Sequence, residues 1–228
     1  MAQRLSKDEL EADALVTGYV RALSFYKDNK TSIIGAVVAV TVLIAGILWY
    51  VSSSSAAENN AREAMTYAEE QFLSGNFENA LFGDEDAFEP GLVEIISRFP
   101  RTTAGNLAFY YAAVSFAEIG DYDSALQNIR RFDIPSGVMG VAPKSLHGMI
   151  LMQLGQYSDA SSMFERAANW DLNSATTPFN LLNAAEAAYA AGNYNRAATL
   201  ARRIKSDYPN SQQAPNAQRL EGMLSARN

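Results

Sequence analysis

Gly192-Asn193-Tyr194-Asn195-Arg196-Ala197 is the fourth appearance of one phrase in this chain of 228 residues. Earlier copies are Gly75-Asn76-Phe77-Glu78-Asn79-Ala80, Gly120-Asp121-Tyr122-Asp123-Ser124-Ala125 and Gly155-Gln156-Tyr157-Ser158-Asp159-Ala160. The shared pattern, Gly-x-aromatic-x-x-Ala, returns at spacings of 45, 35 and 37 residues, each time between two stretches of helical periodicity. A period of about 33 to 47 residues is that of stacked helical hairpins, none of which can bury its apolar face alone. The residue types have physical reasons. Glycine ends the first helix in a left-handed turn, the aromatic closes the gap between the paired helices, and alanine lets them approach closely.

Working outward from these turns, the expected helical pairs are 58–74 with 77–98, 103–119 with 122–133, 142–154 with 157–170, and 177–191 with 194–206. A last helix over 212–226, after Tyr208-Pro209-Asn210-Ser211, covers the open end as a solenoid requires. The first pair is irregular, because Gly83-Asp84-Glu85-Asp86 and Glu89-Pro90-Gly91 must break its second helix. The pattern resembles the tetratricopeptide repeat. Pro209 stands where that repeat places a proline after its second helix, whereas Leu172 and Gly137 replace it in the third and second units. The expected fold is therefore all-α: a tetratricopeptide-like α-solenoid of four helical hairpins plus a C-terminal cap helix.

Ahead of the repeats, residues 31–57 carry no charge, and the nineteen residues 33–51 are almost purely apolar. At about 1.5 Å per residue such a stretch matches the roughly 30 Å hydrocarbon layer, where a helix is the one open conformation that satisfies its own backbone. Arg21, Lys27 and Lys30 precede it and only Arg62 follows nearby, which leaves the N-terminus in the cytoplasm. Trp49 and Tyr50 suit the far interface. Ser55-Ala56-Ala57 has the small residues of a signal cleavage site, but a leader with five acids and so long an apolar core does not fit a secretory signal. The expected divisions are a cytoplasmic amphipathic helix at 1–32, a transmembrane helix at 33–52, a linker at 53–57 and an outer repeat domain at 58–228.

Within the leader, Ser6 and Glu9 form a capping-box signature. Ala12, Leu15, Val16, Tyr19, Leu23 and Tyr26 share one face, opposite Thr17, Arg21 and Asp28, so this helix rests on the inner leaflet or docks on a membrane partner. In the span, Gly35, Ala39, Val42 and Gly46 line one side, a candidate surface for packing another helix.

Catalytic chemistry finds little purchase. There is no cysteine, and His147 is the single histidine, so a nucleophile–base pair could be built only around it; its place on the first helix of the third repeat makes it a packing or surface residue. Glycine-rich phosphate loops, His-Glu-x-x-His and Gly-x-Ser-x-Gly are absent. Asp84, Glu85, Asp86 and Glu89 match no calcium loop and read as a solvated insertion. Arg130-Arg131 and Arg202-Arg203-Lys205 fall at helix ends, where they complement the helix dipole. From residue 33 onward thirteen Lys/Arg face twenty Asp/Glu, a balance that repels nucleic acid. No catalytic residue, metal or cofactor is expected.

What the first helices of the hairpins expose is more informative. Counting back from each glycine gives Arg62, Met65, Glu69 and Phe72, then Leu107, Tyr110, Val114 and Glu118. The third and fourth units add Ser145, Met149 and Met152, then Phe179, Leu182, Glu186 and Tyr189. This is an apolar, aromatic, methionine-bearing face of the kind that accommodates varied polypeptides, although the insertion or the cap helix could instead cover it. Of a cationic clamp for a peptide carboxylate, only Arg62 is present.

Over nearly its whole length the chain resembles the YfgM-type ancillary subunits of the SecYEG translocon. The likeness rests on Leu5-Ser6-Lys7-Asp8-Glu9-Leu10, the leader and span, Glu94-Ile95-Ile96-Ser97-Arg98-Phe99-Pro100, Thr103-Ala104-Gly105-Asn106-Leu107-Ala108 and Thr176-Thr177-Pro178. It implies a bacterial inner-membrane protein whose periplasmic repeat domain attends polypeptides emerging from the Sec translocon, alongside a periplasmic chaperone or foldase. The alternative is a static envelope scaffold that holds one defined protein partner.

Overall fold

The computed structural model describes residues 7–226, with backbone alone at residues 7–15 and 22. Ser6, and the side chains of Glu9, Ala12 and Leu15, thus lie outside the described residues. The chain divides into two compact units between Ala56 and Ala57.

The first unit is helical. It belongs to α1 (Lys7–Leu73), whose single departure from helical geometry is Asn29, at φ −116° and ψ 17°. There the Asn29 amide donates to the Phe25 carbonyl at 3.0 Å, which competes with the ladder. Residues 53–57, expected as a linker, are also helical. This helix is long and apolar enough to cross a membrane, and among the described residues its apolar window is exposed. Val37, Leu43 and Trp49 are more than half exposed, as are Val16 and Tyr19 of the amphipathic stripe.

The second unit holds the end of α1 followed by α2 (Phe77–Phe82), α3 (Leu92–Arg98), α4 (Thr103–Glu118), α5 (Tyr122–Arg131), α6 (Val141–Gln153), α7 (Tyr157–Ala168), α8 (Thr177–Ala190), α9 (Tyr194–Asp207) and α10 (Ala214–Ser225). These are the expected hairpins, with α10 as the cap. The four repeat glycines, Gly75, Gly120, Gly155 and Gly192, have φ between 70° and 85°. Each makes the same pair of bonds. At Gly192 the glycine N–H donates to the Tyr189 carbonyl at 2.9 Å and the next N–H, of Asn193, reaches back to Ala188 at 2.8 Å. That closes the first helix in a left-handed cap, where a side chain would be strained.

Each cap turns the chain through a hairpin whose helices meet at small residues. Ala80, Ala125, Ala160 and Ala197 are fully buried. Seven residues before each glycine stand Ala68, Ala113, Gly148 and Ala185, also buried. At Gly148 the fit is tightest, because a Cβ there would stand 2.8 Å from the Phe164 ring. Around this seam pack Leu81, Ile95, Ile129, Ile150, Leu181 and Ile204. The repeat aromatic is more a lid than a plug. Tyr157 and Tyr194 remain 38% exposed, and the ring lies on the residue five before it, Phe77 on Phe72 at 6.0 Å and Tyr194 on Tyr189 at 5.5 Å.

The irregular first pair breaks where glycine and proline dictate. Between α2 and α3 runs a hairpin of two-residue strands, β1 (Gly83–Asp84) and β2 (Glu89–Pro90), paired antiparallel. Gly105, inside the Thr103–Ala108 segment, has a separate role: a Cβ there would lie 1.9 Å from the Phe99 carbonyl oxygen, so only glycine allows the α3–α4 corner to close.

Gly105→Ala should lower unfolding free energy by about 1–3 kcal/mol or more through overpacking. Gly222→Ala, in a helix with nothing within 4 Å of the new methyl, should raise it by up to about 1 kcal/mol. Denaturant titration of the two variants checks both signs.

Candidate functional site

The first helices of the hairpins (the end of α1, α4, α6 and α8) carry the positions singled out by counting back from the glycines. Leu107, Met149 and Phe179 are 37%, 44% and 43% exposed and available. Phe72, Tyr110, Val114, Met152 and Tyr189 are half-buried. Met65 and Leu182, at 3% and 8% exposure, lie mostly within the core, although Met65 still lines a cavity. The aromatic members are largely occupied by one another. Phe72 stacks on Tyr111 at 4.4 Å, and Tyr110 lies 5.3 Å from Phe132. Tyr189 and Glu186 adjoin Asn216, Arg219 and Met223 of α10 around a small cavity, so the cap narrows that end of the face.

Two of the singled-out groups do converge. A cavity of about 390 Å³ opens between the end of α1, α4 and the segment after α5, lined by Met65, Ala104, Leu107, Phe132 and Pro135 with Glu58, Arg62, Glu69 and Asp133 at its edge. Its volume falls within the range of about 300–1,000 Å³ typical of ligand sites. Polar ties hold its walls. The Thr103 N–H, at the start of α4, donates to Glu58 at 2.6 Å, and Arg62 donates to the same carboxylate at 2.9 Å. Burial alone would raise the Glu58 pKa, but these two donors outweigh it and hold it below the usual glutamate value. Arg62, the one candidate carboxylate clamp, is thus already paired.

Opposite, the Asp133 N–H donates to Asn106 Oδ1 at 2.8 Å, and the Asn106 amide returns a bond to the Asp133 carbonyl at 3.2 Å. Tyr111 donates to Glu69 at 3.2 Å; its own burial first, then that carboxylate, raises the phenol pKa. The walls of this cavity are therefore set before any ligand arrives. Glu58, Thr103, Phe132, Asp133 and Pro135 were not identified from sequence. Phe132 and Asp133 follow the last turn of α5, and the glycine count covers first helices only.

Other candidates are placed as follows. Gly35, Ala39, Val42 and Gly46 are exposed on α1, and an added Cβ on either glycine meets nothing within 4 Å. His147 is half-buried in α6, and its pKa is lowered to about 4 by burial first and then by Arg130, Lys144 and Arg166. It is neutral at pH 7. Among the described residues no group of three or more His, Asp or Glu side chains could hold a metal ion. Asp84 instead accepts from the N–H groups of Asp86 and Ala87 within its own hairpin.

The geometry is that of a tetratricopeptide-like helical solenoid, a scaffold class whose work is binding other proteins. In agreement, a family model for the tetratricopeptide repeat matches residues 180–211, which take in most of α8, the Gly192 turn and α9. No curated protein and no solved structure matches the chain.

Because the unfolded His147 binds its proton near pH 6.5 and the folded one only near 4, the folded state holds fewer protons between these values. Stability should fall as the pH drops through that window. His147→Gln should flatten this part of the curve, read as the difference in denaturant midpoint between pH 7 and 5.

Proposed function

We propose that this chain is a membrane-anchored polypeptide-binding protein of the bacterial inner membrane, with its N-terminus in the cytoplasm and its repeat domain in the periplasm. In this reading it acts as an accessory of the Sec translocon, handling translocated chains much as a chaperone does. The observation that carries the binding reading is the first-helix face: a preformed apolar cavity at one end, and Leu107, Met149 and Phe179 exposed along it. A tether through residues 33–51 would hold that face near a secretion channel and raise its effective concentration there. Individual contacts can then be weak. Support for the translocon as the partner comes from the sequence resemblance, and support for the orientation comes from Arg21, Lys27 and Lys30 before the apolar stretch.

The static-scaffold reading also has an observation in its favour. The cavity walls are braced by Glu58–Thr103 and Asn106–Asp133, as a site for one defined side chain would be. Photocrosslinking from Leu107 and Met149 in spheroplasts separates the two. A spread of adducts that includes chains in transit supports the chaperone-like role, whereas one discrete adduct replaces it with the scaffold. Mild-detergent purification should bring down translocon components or a periplasmic foldase; recovery of neither removes the translocon assignment.

A further inference from the structure

Two features play no part in the first-helix face. The first is a cationic cavity of about 550 Å³ between α6, α7 and α9. Trp170 forms one wall. A Cβ on Gly140 would stand 2.2 Å from the indole nitrogen, so the ring lies tight against that backbone. The Lys144 ammonium sits 4.0 Å from the ring centroid, and Arg166 and Arg196 complete the positive lining. Arg196 is forked to Glu165. Lys144 and Arg166 have no ion-pair partner among the described residues. In a chain of net charge −7 this is a concentrated positive field around an aromatic wall.

The second feature is the hairpin of β1 and β2. Phe88 near its tip is 92% exposed, with φ 57°, a conformation that side chains other than glycine rarely adopt. Asp84 fixes the turn by accepting from Asp86 and Ala87 at 3.0 and 3.1 Å. At the base, a Cβ on Gly83 or Gly91 would meet backbone at 2.1 and 2.3 Å, so the two strands and α2 are in close register. Glu85, Asp86 and Glu89 flank the exposed ring. The result is an exposed aromatic on a fixed turn that also carries three exposed carboxylates.

We propose that the Phe88 knob of one copy enters the Trp170 cavity of a second copy, its carboxylates meeting Lys144 and Arg166. An aromatic knob ringed by acids complements an aromatic wall ringed by cations, and both halves are built in advance, so little ordering opposes the contact. The two patches differ, one on the first hairpin and the other on the third and fourth. The contact is therefore head-to-tail and builds a ring or an open row, according to whether its rotation closes. In a bilayer, the shared plane of the anchors raises the local concentration of one patch around the other.

The natural absence of cysteine makes the test direct. Full-length Ala87→Cys and Ser162→Cys proteins, mixed in lipid nanodiscs or proteoliposomes and oxidised, should give a mixed disulfide at least tenfold above the yield with Met149→Cys as the partner. Arg166→Glu on the cavity copy should abolish the excess, and Asp86→Lys on the hairpin copy should restore it, with unchanged circular dichroism showing that each variant is folded. Equal yields with Met149→Cys, or indifference to Arg166→Glu, overturn the proposal. A synthetic peptide of residues 83–90 that shields the thiol of the Ser162→Cys protein from alkylation, while chains never crosslink at any lipid density, also overturns it: the cavity then serves an acidic segment of another protein.

Discussion

Every hairpin in this protein depends on small, buried residues placed on both of its paired helices. Ala80, Ala125, Ala160 and Ala197 on one side, and Ala68, Ala113, Gly148 and Ala185 on the other, bring the paired backbones together. Such small positions also make room for large neighbours, as Gly148 does for the buried Phe164 ring of its own hairpin. The glycine caps follow from the same constraint. A helix that must reverse beside its partner within a few residues needs a left-handed residue at the turn, and four glycines near φ 70–85° provide it. With the turn and seam fixed, the direction in which each first helix faces is fixed too, and so is the face proposed above for binding.

Between hairpins the ties become polar and specific. The buried Ser145 hydroxyl donates to Asn180 at 2.7 Å, and the Ser161 hydroxyl to the Ala184 carbonyl at 2.8 Å, so α8 is registered against both α6 and α7. Buried groups of this kind cost about 1–3 kcal/mol when left unpaired, which disfavours any shifted stacking of the fourth repeat on the third. The Glu165–Arg196 fork joins α7 to α9, and Lys205 reaches Glu221 of the cap at 2.6 Å. In both, the cation is about half exposed, so solvent screens the pair and it contributes alignment more than energy.

The architecture was legible because its signals are local. Glycine, aromatic and alanine at fixed offsets announce a turn and a seam, and Glu89-Pro90-Gly91 announces a break, so the hairpins and the interrupted first pair could be placed within a few residues. The site was less legible, for reasons of geometry. Counting along a helix gives a face but not its depth: Met65 and Leu182 share the stripe of Leu107 and Phe179, yet neighbouring helices cover them. Neither Glu58 capping α4 from 45 residues away nor Trp170 lying against Gly140 has a periodic signature, because each depends on where distant segments meet. The repeat aromatic was read as a plug from its composition. Its partial exposure goes with a place just beyond the turn, where Phe77 and Tyr194 lie on Phe72 and Tyr189 of the preceding helix.

The bond that the Thr103 N–H gives to Glu58 carries a consequence for anyone who would detach the repeats from the apolar helix before them. Glu58 is the second residue of the repeat unit, yet its carboxylate serves the first amide of a helix in the following hairpin. A fragment begun at residue 57 keeps that stitch, whereas one begun at Arg62 frees the amide and removes Glu58 from the edge of the apolar cavity. Trimming that looks conservative on a linear map would in this way loosen the very surface such a fragment is made to study.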